Sequence, residues 1–435
     1  MLKIKLHWQI FIAIGLAVIV AVLVDPRSGW GEDLVAVLDV IGKLFINALK
    51  MIIVPLIVSS LIVGVAAAGG TRGLGRLAGK TVVYFAITTL LAILVGLFFV
   101  NVLSPGVVNG VSVKDLVGLS TANVTELTSK ISGRDASSLI DVLLSIFPPN
   151  IIAAATNNGQ MLGVITFSLL YGFFLTRIQE AYAEAQYNFW HGMQEIMMRI
   201  IELIMRVAPL GVFALVAHVL LGIAPDQWQV IVQALGLFAL SVLAGLLVHM
   251  LITLPLLLYF IGRVNPWRHY QAMLPALITA FSTASSSATL PVTMECVQKN
   301  AGVSERVSAF VVPLGATVNM DGTALYECAA AMFIAQAYGV EMTFSMQFLV
   351  VVLALLTSIG VAGIPAASLV AISIILTAIG LPLEGIALLF AVDRLLDMCR
   401  TSVNVFGDTC GAVIIAKTEG EENVLVAANA RDLNP

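Results

Sequence analysis

The sequence predicts an all-α polytopic membrane protein. Three observations carry that expectation. Of the 435 residues, 59% are hydrophobic and only 11% charged, against roughly 25% charged in an average soluble domain. Mean hydropathy is +1.00. Apolar runs near or above the roughly 18–20 residues that cross a bilayer recur along almost the whole chain, with no interval between them wide enough for a soluble domain.

The runs lie at about 9–24, 35–68, 81–104, 151–176, 189–223, 229–262, 269–294, 307–338, 347–380 and 385–416. The first follows Lys3 and Lys5 as a signal peptide would. It closes at Asp25-Pro26 with no small-x-small cleavage site, so it reads as a retained span. Lys3 and Lys5, then Arg72, Arg76 and Lys80, then Arg177, then Arg263 and Arg268 fall in alternate loops. The positive-inside rule puts those loops and both termini on the cytoplasmic side of a cell (inner) membrane. The polar stretch at about 105–147 then lies outside, and its sequon Asn123-Val124-Thr125 has meaning only in a secretory-pathway organism. The net charge of −4 says little, because placement outweighs the sum. Cys296, Cys328, Cys399 and Cys410 lack CxxC spacing and read as small buried hydrophobes.

Two runs are interrupted. Residues 269–294 break at Ser282-Thr283-Ala284-Ser285-Ser286-Ser287, with Pro291 beyond, and residues 347–380 break at Gly360-Val361-Ala362-Gly363-Ile364-Pro365. Each is followed by a run with intramembrane polar residues, so a broken hairpin and then a polar span occur twice. Interrupted segments in corresponding halves point to a binding site near the membrane midplane. The Lys/Arg count puts the first hairpin inside and the second outside. Two ordinary spans kinked at Ser or at Gly/Pro are the alternative.

The polar chemistry concentrates in two places. At about 100° per residue, Asp393, Asp397, Arg400, Thr401, Asn404 and Asp408 share one helical stripe, with Arg394 at its border. A surface amphipathic helix would show the same stripe, but apolar residues continue it at both ends and its polar face is not Lys-rich. Ionisable groups inside a span mark substrate or ion pathways. Structural pairs, Asp393 with Arg394 or Asp397 with Arg400, are the alternative. Three Asp against two Arg leave one carboxylate wanting a cation.

The second place is Gly315-Ala316-Thr317-Val318-Asn319-Met320-Asp321-Gly322-Thr323. Asn, Asp and Gly are poor helix-interior residues, which predicts unwinding here. Unwound backbone inside a membrane is tolerated only where protein, water or a ligand satisfies it. Carbonyls freed at Gly315 and Asn319, with the carboxylates of Asp321 and Asp408, are hard oxygen donors suited to an alkali cation or a hard divalent. Half-helix N-termini at the hairpin tips favour an anion, and the Ser285–Ser287 hydroxyls add donors. A zwitterionic, acidic ligand satisfies all these groups. Arg400 offers a fork for a carboxylate, Asp397 takes an ammonium, and hairpin amides take the second carboxylate.

Other patterns are weak. Residues 75–81 look like a phosphate loop but are one residue short, with no preceding strand. His249, in an apolar run, reads as a buried helix residue. No arrangement of His, Ser and carboxylate suggests hydrolysis, so no enzyme is expected, and no nucleic-acid partner.

The segments SSSATLPVT (285–293), GATVNMDGTALYE (315–327), SIGVAGIP (358–365) and DRLLDMCRTSVNVFGD (393–408) closely resemble the glutamate transporter family, the dicarboxylate/amino acid:cation symporters of bacterial glutamate/aspartate type. The matches cover about 270–417 in the family's order. The N-terminal spans fit in number and spacing. The resemblance implies eight transmembrane helices plus two re-entrant helical hairpins with inverted repeats, in a homotrimer in membrane lipid. Its scaffold would be 1–80 (spans 1 and 2) and 105–223 (extracellular loop, spans 4 and 5). A transport domain, 81–104 (span 3) and 224–417 (span 6, hairpin 1, span 7, hairpin 2, span 8), would move like an elevator, and 418–435 would be a cytoplasmic tail. It implies substrate contacts at Ser285, Ser286, Thr323, Gly363, Ile364, Pro365, Asp397, Arg400, Thr401 and Asn404. One sodium would sit among Gly315, Asn319, Asn404 and Asp408, and a second at Thr317 with the backbone of Ser358, Ile359 and Val361. A third would involve Asp321 and Asn319 with Thr88 and Thr89 on span 3. No cofactor is implied beyond sodium as coupling ion.

Some positions depart from the family pattern. Archaeal relatives carry an Arg where this chain has Ala284, and Arg394 resembles the bacterial pattern in which that charge has moved onto span 8. Phe85 stands where the third cation site often has a Tyr. Glu327 stands where proton-carrying members have a Glu. It is either a proton site or a helix-interior Glu paired with a neighbour, and both readings stay open. Asp408 favours sodium, since proton-only bacterial relatives resemble this motif with Asn there. The expected function is secondary symport coupling sodium, with proton coupling left open, to uptake of L-aspartate or L-glutamate. A C4-dicarboxylate or neutral amino acid symporter is the alternative, and an ion channel is the reading from another class. Asp397 argues against a plain dicarboxylate, which has no ammonium, and Arg400 against a neutral side chain.

Overall fold

Prolines set where the long apolar runs bend or stop, because each removes a backbone donor and its ring meets the carbonyl four residues earlier. The computed structural model describes residues 6–26, 28–69, 75–113, 144, 147–156, 161–222, 227–360 and 368–425. Helix α1 (Leu6–Leu23) is the first apolar run. The 35–68 run is two helices, α2 (Gly29–Met51) and α3 (Ile53–Gly69), parted at Ile52. The carbonyl that Pro55 blocks is that of Met51, which is where α2 ends. Helix α4 (Gly75–Leu103) follows.

The polar stretch after α4 begins with a departure from an all-helical chain. Strands β1 (Val107–Val108) and β2 (Val111–Ser112) pair antiparallel. Asn109 and Gly110 join them at φ of 54° and 81°, the left-handed pair that a two-residue hairpin turn requires. The sequon at 123–125 lies outside the described residues. Helices α5 (Ile151–Thr156) and α6 (Met161–Leu175) lead to α7 (Glu180–Leu221), which bends by 53° just before Arg206, beside the position Pro209 blocks. Helix α8 (Trp228–Gly262) contains two π-helical turns, His249–Thr253 and Leu258–Gly262, on either side of Pro255.

The first broken segment breaks where the sequence indicates. Helices α9 (Pro266–Thr283) and α10 (Ser286–Glu295) meet at Ala284, whose φ of 50° is left-handed. The Ser285 hydroxyl caps α10 by accepting from Ala288 N–H at 3.2 Å. Helices α11 (Glu305–Val318) and α12 (Asp321–Ala337) are separated by Asn319 and Met320, both non-helical. Helix α13 (Phe344–Gly360) and helix α14 (Ser368–Ile379) form the second pair. Residues 361–367, with the expected contacts Val361, Gly363, Ile364 and Pro365, lie outside the described residues. Helix α15 (Ile386–Thr418) is continuous across 33 residues.

Helix α12 is apolar or small around nearly its whole circumference and is buried along it, as a central helix must be. It packs against α4, α8, α13, α14 and α15, while α1, α2 and α3 pack against α7, and α3 also against α6. Phe238 of α8 stacks on Phe333 of α12, centroids 4.7 Å apart. Helices α4 and α8 are each long and apolar enough to cross a membrane. Large apolar residues such as Ile87 and Phe98 of α4 and Leu251 and Phe260 of α8 face outward. An apolar exterior over a helical interior fits lipid as solvent, where only helices and closed barrels satisfy their backbone. The molecule is a helical membrane protein. Of the four cysteines, Cys296, Cys328 and Cys410 are buried and Cys399 is only partly so.

Candidate binding site

The polar stripe of α15 faces inward. Asp393, Asp397, Arg400, Thr401, Asn404 and Asp408 are all buried, which removes the surface-amphipathic reading. Of the two structural pairs, Asp397 with Arg400 forms, while Asp393 takes Arg400 in place of Arg394. Arg400 donates through Nη2 to Asp393 Oδ1 at 3.1 Å and to Asp397 Oδ1 at 3.0 Å. Arg394 Nη1 lies 3.4 Å from Asp397 Oδ2. Asp393 therefore pairs with Arg400, two turns along the same face of the helix, and not with its sequence neighbour Arg394. Arg400 also donates through Nη1 to Ser368 Oγ of α14 at 2.8 Å, and its guanidinium lies 3.8 Å from the centroid of the Tyr326 ring. Two Asp and two Arg are thereby balanced. The third carboxylate, Asp408, has the Asn319 Nδ2 amide at 3.0 Å and no cation among the described residues.

Around Asp408 lies a pocket of oxygen donors from three elements. Thr88 and Thr89 of α4 place their hydroxyls 3.3 and 3.4 Å from Asn319 Oδ1. Thr89 Oγ1 donates to Asp321 Oδ1 at 2.7 Å, and Asp321 Oδ2 lies 3.1 Å from His249 Nε2. All these side chains are buried. Gly315 is required by close approach, since a Cβ there would lie 2.5 Å from Asp408 Oδ1. One expectation is corrected. The Gly315 carbonyl is not freed, because it accepts the Asn319 N–H at 2.8 Å as α11 ends; its second lone pair remains. The donor set is oxygen-rich and fits a small hard cation.

Asn404 joins the two halves of the site. Its Oδ1 accepts from Gly322 N–H at 2.8 Å and Thr323 N–H at 3.3 Å, and its Nδ2 donates to Thr323 Oγ1 at 3.1 Å. Thr401 Oγ1 donates to the Asp397 carbonyl at 2.8 Å. Ser286 is buried at the start of α10, and α10 packs on α15. Thr317 and Ser358 lie on packed helices, α11 and α13. Their hydroxyls donate to local carbonyls, of Pro313 at 3.4 Å and Leu355 at 2.9 Å. Ile359 is in the last turn of α13. Glu327 is fully buried; Thr357 Oγ1 donates to its Oε2 at 2.8 Å, and its Oε1 has no partner among the described residues. Its neighbour is thus a neutral hydroxyl.

Some residues of the site lay beyond the sequence reading. Asp393, in the sequence only a possible pair for Arg394, is a partner of Arg400. Tyr326 and Ser368 meet Arg400 only through tertiary packing. Tyr84, one residue before Phe85, carries its hydroxyl to within 3.4 Å of the Gly407 carbonyl. His249 is a buried helix residue as expected, but it is bonded to Asp321; the signal available was Pro255 six residues on, where a helix must rearrange.

The sequence model describing the sodium:dicarboxylate symporter family matches residues 6–418. A proton/sodium-glutamate symport protein of Geobacillus stearothermophilus is 36% identical over 97% of this chain and 96% of its own length. A proton/glutamate-aspartate symporter of Escherichia coli (strain K12) is 35% identical over 96% of this chain and 94% of its own. An excitatory amino acid transporter of Caenorhabditis elegans is 37% identical over 90% of this chain and 84% of its own.

Proposed function

Because the chain belongs to the sodium:dicarboxylate symporter family, we propose that it is a secondary active symporter driving uptake of L-glutamate or L-aspartate with the sodium gradient. The observation that carries this reading is one side chain, Asn404 of α15, bonded to the first turn of α12 between two polar clusters. On one side stand Asp397 and Arg400, matched to an ammonium and a carboxylate. On the other stand Asn319, Asp321 and Asp408, matched to sodium. A ligand on either side orders the same residue, so each favours the other by linkage.

In this reading substrate is held by Ser285, Ser286, Thr323, the second hairpin tip, Asp397, Arg400, Thr401 and Asn404. Sodium is held by Gly315, Asn319, Asn404 and Asp408, by Thr317 with the end of α13, and by Asp321 with Thr88 and Thr89. Eight spans and two re-entrant hairpins, with both termini cytoplasmic in the inner membrane, accord with the break at Ala284 and the placement of Lys and Arg. The packing of α1, α2 and α3 against α7, beside the grouping of α4, α8 and α12–α15, supports a scaffold carrying a mobile transport domain, and the homotrimer follows from the family resemblance. Glu327 serves as a proton site, a buried carboxyl with one oxygen unbonded. Its replacement, Glu327→Gln, removes substrate-linked proton movement and leaves sodium-driven uptake; an unchanged signal from a trapped pH dye refutes that role.

Uptake of labelled aspartate and glutamate into proteoliposomes, with and without an imposed sodium gradient, tests the whole. Saturable, sodium-dependent accumulation is expected. Uptake indifferent to both sodium and proton gradients, or unsaturable conduction, rejects it.

A further inference from the structure

The cation pocket is braced from a helix that contributes no ligand to it. His249 and Asp321 are both fully buried. His249 Nε2 meets Asp321 Oδ2 at 3.1 Å, while Thr89 holds the other oxygen of the same carboxyl at 2.7 Å. A carboxylate that ligates sodium only accepts, so in that role Asp321 takes the imidazole N–H. Its Nδ1 has no partner among the described residues, so no second hydrogen bond there orients the ring.

The backbone at His249 is unusual. His249 opens a π-helical turn, in which the Leu254 N–H bonds back to the His249 carbonyl. The next nitrogen in that pattern belongs to Pro255, which has no hydrogen to offer the Met250 carbonyl. The Tyr270 hydroxyl of α9 donates to that carbonyl instead. Tyr270 stacks on Phe406, centroids 4.5 Å apart and planes 12° from parallel, immediately before Gly407 and Asp408. A Cβ on Gly407 would lie 2.8 Å from Asp321 Oδ2, so the carboxyl is also confined from the α15 side. Single π-turns inside α-helices are frequent at functional sites. Here one aims a side chain from α8 at a cation-pocket carboxylate, and the first hairpin caps it.

We propose that His249 is a positioning residue for sodium: it fixes the rotation of the Asp321 carboxyl, and the π-turn, held by Pro255 and Tyr270, keeps it aimed. This rests on the reading of Asp321 as a sodium ligand. Hydrogen bonds from outside a metal site that orient its ligands typically set affinity by 10–100-fold.

The test is the sodium dependence of L-aspartate uptake in proteoliposomes at saturating aspartate. Replacing His249 by Leu (H249L) raises the half-saturating sodium concentration about tenfold or more, with the rate at saturating sodium much less affected. In H249Q the side-chain amide reaches the same point as Nε2, and sodium dependence returns to within about threefold of wild type. Y270F, which uncaps the Met250 carbonyl, shifts the curve the same way by less. An unshifted curve in H249L beside a shifted one in D321N overturns the positioning role and leaves the cation site standing. An unshifted curve in D321N removes the site and the inference together. Should H249L not be recovered folded, Y270F decides, and a wild-type curve there overturns the proposal.

Discussion

Asn404 caps Gly322: its Oδ1 accepts the Gly322 N–H at 2.8 Å and the adjacent Thr323 N–H at 3.3 Å. These are two of the amides that the first turn of a helix leaves without partners, and here the cap comes from α15, more than eighty residues along the chain. Asn404→Ala strands both donors in the interior, at about 1–3 kcal/mol for each group left unpaired. The variant melts at lower temperature in detergent, and its affinities for aspartate and for sodium fall together. Equilibrium binding across a sodium series checks this; loss of one affinity with the other intact contradicts the shared hinge.

Arg400 is the guanidinium between Asp393 and Asp397. Arg400→Ser leaves the buried Asp393 carboxylate without its cation and Asp397 with Arg394 alone, and breaking a buried pair costs about 3–5 kcal/mol. Uptake of acidic substrates falls far more than uptake of a neutral amino acid such as serine, measured side by side with labelled substrates. Equal loss of both removes Arg400 from side-chain recognition.

Gly315 faces Asp408 with no room for a methyl group. Gly315→Ala pushes the Asp408 carboxylate off the Asn319 amide, so the half-saturating sodium concentration rises by about tenfold while the fold persists. Thermal stabilisation by added sodium, large in wild type and reduced in the variant, reports the change.

Glu419, just past the C-terminal end of α15, gathers Lys80 at 2.5 Å, Arg76 at 3.4 Å and Arg306 at 3.9 Å. The Lys80 hydrogen bond, helped by the charges of Lys80, Arg76 and Arg306, holds its carboxyl below the ordinary value of 4.5. A depressed pKa contributes stability above the ordinary value, and that contribution is lost as pH falls through the folded-state value. Glu419→Gln therefore lowers the melting temperature by a few degrees at neutral pH and low salt. The difference closes in about 0.5 M choline chloride through screening, and it closes again at acid pH. A difference that persists in salt assigns the effect to packing.

Some of this was legible along the chain because it is local. Ala284 and Asn319-Met320 break their helices where Ser-rich and Asn-Asp-Gly segments weaken them. The inward stripe of α15 follows from helical period alone. Other relations were hidden because they join distant elements. Arg400 reaches Asp393 across seven residues of helix but Ser368 and Tyr326 only across helix packing. The two-residue strands after α4 rest on an Asn-Gly turn inside a stretch read simply as a loop, and the division at Ile52 rests on one proline.

The sequence by itself determined a helical membrane protein with carboxylates, an arginine and unwound Asn-Asp backbone in its last third. Composition and periodicity are properties of single segments, so no folded partner is needed to read them. Only the tertiary structure decided which oxygens converge. Thr88 and Thr89 from α4, Asn319 and Asp321 from the break before α12, and Asp408 from α15 meet because α12 is buried between α4 and α15. His249 joins them because a proline distorts α8 at that turn, and pairing between separate helices leaves no period in the sequence.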